Sequence, residues 1–208
     1  MVKVKEMPYK QKYAMVISNM KIEEPGLAFI EKHLGKQAVT ELQKEFEKGI
    51  KPIPENVPDK EKYDIATSNL SWMGGSKYNF VQSRLGEDGI NQCVQVDVGF
   101  LKTVTPRPVV LLMNLIRAIS PGAAFTMMIK QMAYEFQYGG PTLLSELSPN
   151  SAIMEVKPCN MLNFPGGENM CIFCQKETPI WLKEQFKMDT KVNRQEKGCT
   201  FTFKPHQI

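Results

Sequence analysis

Apolar residues recur at helical spacing through the first third of the chain. Leu27, Ile30 and Leu34, then Ala38, Leu42 and Phe46, keep a period of three to four residues. This predicts two helices over residues 23–48, broken at Gly35 and stopped at Gly49. The segment that follows carries Pro52, Pro54 and Pro58. Each proline removes a backbone donor and pushes the residue before it out of helix, so an extended linker is expected there. Residues 71–100 return to a mostly helical pattern. Ser71 is placed to cap a helix carrying Trp72, Phe80, Val81 and Leu85, with Gly86 as its end. A second run leads from Glu87 through Cys93 and Val94 to Phe100, and its β-branched residues leave a strand at 94–98 open.

Two proline-led starts come next. Thr105-Pro106-Arg107-Pro108 opens a helix over residues 109–119, and Ser120-Pro121 opens another over residues 123–138, closed by Gly139-Gly140-Pro141. The period then changes to two. Residues 143–147 and 152–156, joined by a Ser-Pro-Asn-Ser turn, form one hairpin, and residues 191–194 and 199–203 form another around Gln195-Glu196-Lys197-Gly198. Cys199, Phe201 and Phe203 share one face of the last strand. Residues 168–187, with Ile172, Phe173, Ile180, Trp181 and Phe186 as apolar positions, are expected to be helical and bent at Pro179. The fold class is therefore α+β: N-terminal helices followed by a ββαββ unit of antiparallel hairpins. The proline-rich stretch is the candidate boundary between a helical N-terminal extension with its linker, residues 1–58, and an α+β domain, residues 59–208.

Composition narrows the function classes. With 42% hydrophobic residues the chain can bury a core without disulfides. A formal net charge of +4 is mild and its lysines are scattered, without the basic, aromatic-interleaved stripe of a nucleic-acid face, so no nucleic-acid partner is expected. The N-terminus has no apolar core of a secretory signal, and the longest apolar stretch, residues 109–116, is far short of a bilayer span, so no membrane partner is expected either. Five cysteines, an odd number, favour reduced thiols or metal ligands in the cytoplasm. The oligomeric state is open, a homodimer being one option.

Four of those cysteines, Cys159, Cys171, Cys174 and Cys199, lie in the C-terminal quarter. Cys171 and Cys174 form a CxxC pair whose sulfurs, on one helical turn, can converge on a single ion at about 2.3 Å, as in zinc and iron–sulfur sites. Cys159 precedes them across a Pro-Gly-Gly loop, and His206 is a substitute imidazole. Two other readings stand beside this one. The thiols can be scattered packing residues, as Cys93 is read and as the strand phase of Cys199 allows, or a redox or nucleophilic pair. A nucleophile needs a base, and the histidines are only His33 and His206.

Thirteen methionines are the second clue, with Met113, Met127, Met128 and Met132 in the two proline-led helices. Most are expected to be core, yet unbranched thioethers also suit an adaptable pocket. The candidate ligand-lining set is Met113, Phe125, Met128, Met132, Tyr134 and Tyr138, with Asn114 and Glu135 as further polar groups able to orient a ligand. The glycine pairs Gly74-Gly75 and Gly139-Gly140 are read as turns, since neither follows a strand and opens a helix as a phosphate loop does.

The order of these segments resembles a known domain. The run from Ala123 through Tyr138-Gly139-Gly140, then Asn150-Ser151-Ala152-Ile153-Met154-Glu155-Val156, Cys159, the Cys171–Cys174 helix with Trp181-Leu182, and Lys197-Gly198-Cys199-Thr200-Phe201-Thr202-Phe203 is similar to the 4-vinyl-reductase domain, a hydrocarbon-binding fold. The resemblance implies a pocket for a small hydrophobic or aromatic molecule beside a zinc held by cysteines and a carboxylate. Here those would be Cys159, Cys171, Cys174 and Cys199, with Glu168 the nearest acid. Ser71-Trp72, Phe80-Val81, Leu85-Gly86-Glu87-Asp88 and Val156-Lys157-Pro158-Cys159 also resemble L-2-amino-thiazoline-4-carboxylate hydrolase-like proteins. The expected function is thus a small-molecule binding or sensing domain with a cysteine-held zinc or iron–sulfur site. The alternative is a cysteine-dependent hydrolase of a small amide-like or cyclic substrate.

Overall fold

The computed structural model describes residues 2–206. The chain divides into two units. Among the described residues, unit 1 takes in 2–7, 101–159 and 174–206, and unit 2 takes in 8–100 and 160–173.

Unit 2 is helical. Its first helix, α1 (Tyr9–Met20), follows Pro8, whose extended backbone makes it a natural helix entry. Sequence reading passed over this helix because lysines crowd it, although Tyr9, Tyr13, Val16 and Met20 keep helical spacing and Val16 is fully buried. The helices α2 (Glu23–Leu34) and α3 (Lys36–Gly49) form as expected, separated by Gly35 alone. Their apolar stripes bury Phe29, Ile30, Ala38, Leu42 and Phe46.

Residues 51–58 lie outside helix and strand, with a turn at Glu55-Asn56 and a bend at Val57, and they belong to unit 2. Asn69 holds this segment, its side chain accepting from the Lys51 N–H at 2.9 Å and donating to the Lys51 carbonyl at 2.8 Å.

A long element, α4 (Asp59–Val104), comes next, broken at Gly86, where φ is 64° and ψ is −160°. That backbone region is open only to glycine, so Gly86 divides the element into two helices. The helix begins well before Ser71, which is no cap. Its hydroxyl donates to the Thr67 carbonyl one turn back at 2.8 Å. Residues 94–98 are helical too, because Ile90, Val94 and Val98, with Cys93 and Asp97 beside them, make one buried helical face. Burial at a period of 3.6 outweighs the β preference of the valines.

Unit 1 combines helices with a four-stranded sheet. The helices α5 (Arg107–Ile119) and α6 (Pro121–Glu135) are joined by Ser120 alone, and a 3-10 turn at Phe136–Tyr138 follows. The strands β1 (Thr142–Leu147) and β2 (Ala152–Val156) form the first hairpin. The helix α7 (Thr178–Phe186) then precedes the second hairpin, β3 (Met188–Gln195) and β4 (Gly198–Pro205). The sheet is antiparallel throughout, in the order β1-β2-β4-β3.

Its register aligns the core face. Ala152 lies opposite Phe203, Met154 opposite Phe201, and Val156 opposite Cys199, and all six are buried. Phe125, Met128, Ile129 and Met132 of α6, Leu182 and Phe186 of α7, and Met188 join the same core. Phe136 meets Phe201 edge to face at 5.1 Å between ring centroids. Gln137 secures the N-terminal segment, accepting from the Met7 N–H at 2.9 Å and donating to the Lys5 carbonyl at 2.7 Å.

The region expected to be one bent helix over residues 168–187 is more broken than its periodicity indicates. A π-helical turn at Phe173–Glu177 leads into α7. Pro179 has no N–H to offer the Gln175 carbonyl, and the turn before it widens. On α5, Met113 is buried, while Leu111, Leu112, Leu115 and Ile119 are exposed. Among the described residues no helix is long and apolar enough to cross a membrane.

Candidate functional site

The cysteines are distributed through both units. Cys199 is buried at the start of β4, opposite Val156 and Arg194. Cys159 follows the β2 end, where its N–H donates to the Lys197 carbonyl at 2.9 Å. Cys174, half-buried, packs against the unit 1 core. Cys171 belongs to unit 2, with its Sγ 3.8 Å from the Gly167 carbonyl, and Cys93 is fully buried in unit 2. Among the described residues no group of three His, Cys, Asp or Glu side chains is placed to hold a metal ion. Both imidazoles are engaged. His33 packs against Phe29 in a tilted ring pair at 4.4 Å between centroids, and His206 donates through Nδ1 to Asp189 at 2.8 Å.

The methionine-rich helices do frame a pocket. A cavity of about 480 Å³ opens in unit 1 between α5, α6, the end of α7 and the adjoining ends of β3 and β4. Phe125, Met128, Phe186 and Met188 provide its apolar wall, and Asn114, Arg117, Lys187 and His206 its polar groups. Of the candidate lining residues, Phe125 and Met128 are on the wall. Met113 and Met132 are buried in the same core without being among the lining residues. Tyr134 lines a different hollow, with Val2, Val4, Met127 and Lys130, and Tyr138 is half-buried in the 3-10 turn.

Arg117 and Lys187 were missed from sequence because each stands at or near the end of a helix. Arg117 lies near the end of α5. Its Nη1 donates to Asn114 Oδ1 at 2.9 Å and its Nη2 to the Phe186 carbonyl at 2.5 Å. Burial holds its guanidinium below the ordinary range. Lys187 caps α7 with φ of 53° and ψ of 49°, a left-handed conformation that glycine usually supplies.

A second polar centre, wholly buried, lies in unit 2. Lys77 of α4 is 0% exposed, and its Nζ donates to Asp97 Oδ2 at 2.8 Å and lies 3.2 Å from Glu23 Oε2. Tyr78 donates its hydroxyl to the same Asp97 oxygen at 3.4 Å, and the Lys77 ammonium sits 4.4 Å above the Tyr78 ring. Gly26, one turn after Glu23, makes room for the lysine stem, since a Cβ there would lie 2.6 Å from Lys77 Cδ. Were both carboxyls ionised, two negative charges would face one ammonium in a buried site. Desolvation raises the Glu23 carboxyl above its ordinary range, against the attraction of Lys77, and the charge of Asp97 pushes it the same way.

This centre should be visible in the pH dependence of stability. Folded Glu23 keeps its proton where the unfolded chain has lost it. Its contribution is therefore complete below the ordinary value of 4.5 and is lost as pH rises through that value toward the raised one. The Glu23→Gln variant is expected to flatten that decline and to be about 1 kcal/mol more stable than wild type near pH 8. Urea unfolding of both proteins at acidic and alkaline pH measures it. An unchanged slope would contradict this account of Glu23.

Comparison with protein-family models, with curated proteins and with solved structures returns no match for this chain.

Proposed function

We propose that unit 1 is a binding module for a small molecule with an apolar or aromatic body, taken up between α5, α6 and α7. The observation that carries this reading is the cavity of about 480 Å³ walled by Phe125, Met128, Phe186 and Met188. It falls within the size range of small-molecule sites, and it combines an apolar wall with a few convergent polar groups. The ligand class is the one that the resemblance to the 4-vinyl-reductase domain implies, and the cytoplasm is the proposed compartment. A hydrolytic cysteine is not favoured, since His33 and His206 already have partners of their own.

The test uses a neutral apolar fluorophore, N-phenyl-1-naphthylamine, titrated into the whole chain. Saturable binding of one equivalent, with the emission rise of an apolar site, is expected. Ala118 lies exposed at the mouth of the cavity, so Ala118→Trp should block entry without disturbing the core, weakening binding by about tenfold or more. Absence of saturable binding, or equal binding by Ala118→Trp, would sink the proposal.

The cysteine-held metal expected from sequence has a separate test. A chain carrying it would release about one equivalent of zinc, or about two to four of iron from a cluster, on acid denaturation and lose stability with chelator.

A further inference from the structure

We infer that the molecule bound in the unit 1 cavity carries a carboxylate head group, held by Arg117. The inference rests on the cavity being a ligand site and goes on to specify the chemistry of what enters it.

Three observations converge. Arg117, Lys187 and His206 all line the cavity, and no aspartate or glutamate is among its lining residues. Basic side chains at the polar end of an apolar hollow, of which only His206 has an acid beside it, Asp189, favour an anionic group at that end.

Arg117 is also oriented but unneutralised. Its two terminal nitrogens are fixed by Asn114 Oδ1 and the Phe186 carbonyl, both uncharged acceptors. Among the described residues it has no ion pair with a carboxylate. A guanidinium has five N–H donors in a rigid fork, so these two bonds leave donors in a plane already set. Half-burial makes an opposite charge worth more to it than in open water. Asp189, the nearest acid in sequence to the cavity's rim, is bonded to His206.

Lys187 is the third. The left-handed position after a helix is usually glycine's, and here it bears a lysine that is among the lining residues and whose Nζ donates to an uncharged acceptor, the Glu184 carbonyl, at 3.3 Å. The surroundings add to the effect, for unit 1 holds fourteen Lys and Arg against eight Asp and Glu. The occupant that fits is a monocarboxylate with an apolar body, the body against Phe125, Met128 and Met188 and the carboxylate at the Arg117 fork. The binding is non-covalent and requires no proton transfer.

The experiment compares dodecanoate with dodecanol, which shares the chain and lacks the charge, as competitors of N-phenyl-1-naphthylamine on the full chain. In wild type the acid is expected to displace the probe at about tenfold or more lower concentration than the alcohol, the range of a charge-assisted hydrogen bond in a partly dry site. Arg117→Gln should bring the two competitors to within about twofold, and Arg117→Lys should restore part of the difference. The ratio of the two constants is the readout, so a variant with a loosened cavity still reports. Equal displacement by acid and alcohol in wild type, or an unchanged ratio in Arg117→Gln, overturns the carboxylate assignment. A probe that fails to bind wild type overturns the pocket itself, and the two failures are thereby distinct.

Discussion

Replacing Lys77 by methionine is expected to lower the unfolding free energy by about 3–5 kcal/mol, the largest loss foreseen for any single side chain here. Methionine matches the lysine stem in length and flexibility, so packing changes little and the loss is electrostatic. Without the ammonium, Glu23 and Asp97 remain buried at 4% and 0% exposure with no cation between them. Asp97 Oδ1 already lacks a hydrogen bond, and Oδ2 would lose its shortest donor. With the opposing attraction of Lys77 gone, Glu23 would hold its proton still more firmly in the folded state, so the defect should deepen with rising pH. The triple variant Glu23→Gln, Lys77→Met, Asp97→Asn should recover most of the loss, because no buried charge remains to be desolvated. Guanidinium unfolding of the three proteins at neutral pH decides the matter. A loss below about 1 kcal/mol in Lys77→Met would mean that water reaches this centre.

The second large effect is steric. A Cβ at Gly75 would lie 2.2 Å from the Gly166 carbonyl oxygen and 2.6 Å from its Cα. The α4 backbone and the loop of residues 160–173 therefore touch main chain to main chain, and neither can yield by turning a side chain. Gly75→Ala is expected to destabilise by about 3 kcal/mol, at the upper end of ordinary overpacking. Gly99, later in the same element, meets nothing within 4 Å of a Cβ. There the substitution should stabilise by about 0.5–1 kcal/mol through helix propensity alone. Thermal unfolding of the two variants should show shifts of opposite sign. Losses of similar size would show that propensity, not the contact, governs both.

How far sequence reached into this fold depended on whether a feature was local. The start of α5 at its prolines, the Gly35 break, both hairpins and the shared face of Cys199, Phe201 and Phe203 follow from periods and turn residues within a few positions of each other. The strand order β1-β2-β4-β3 involves segments far apart, and no local period encodes it. Lys77 and Asp97 illustrate the limit. Each reads as an ordinary surface charge on a long helix, and their meeting depends on the backbone break at Gly86 between them. The pocket was half legible. Phe125 and Met128 lie on a regular apolar stripe, but Arg117 and Lys187 stand near helix ends, where a side chain's direction is set by what the chain does next. The CxxC spacing assumed a regular helical turn, and the backbone from Cys171 to Cys174 instead runs into the π-helical turn.

The central position of β4 bears on how the protein is made. It lies between β2 and β3, so that among the described residues a later strand is flanked on both sides by earlier ones. During synthesis β1 and β2 can pair as soon as they emerge, yet one edge of β2 and the whole of β3 have no neighbour until β4 leaves the ribosome. Unit 2 is delayed as well, since residues 160–173 are made long after its first helices. Neither unit can finish before most of the chain exists. Exposed strand edges during that interval are sites for wrong pairing, and a chaperone that shields β2 would act there.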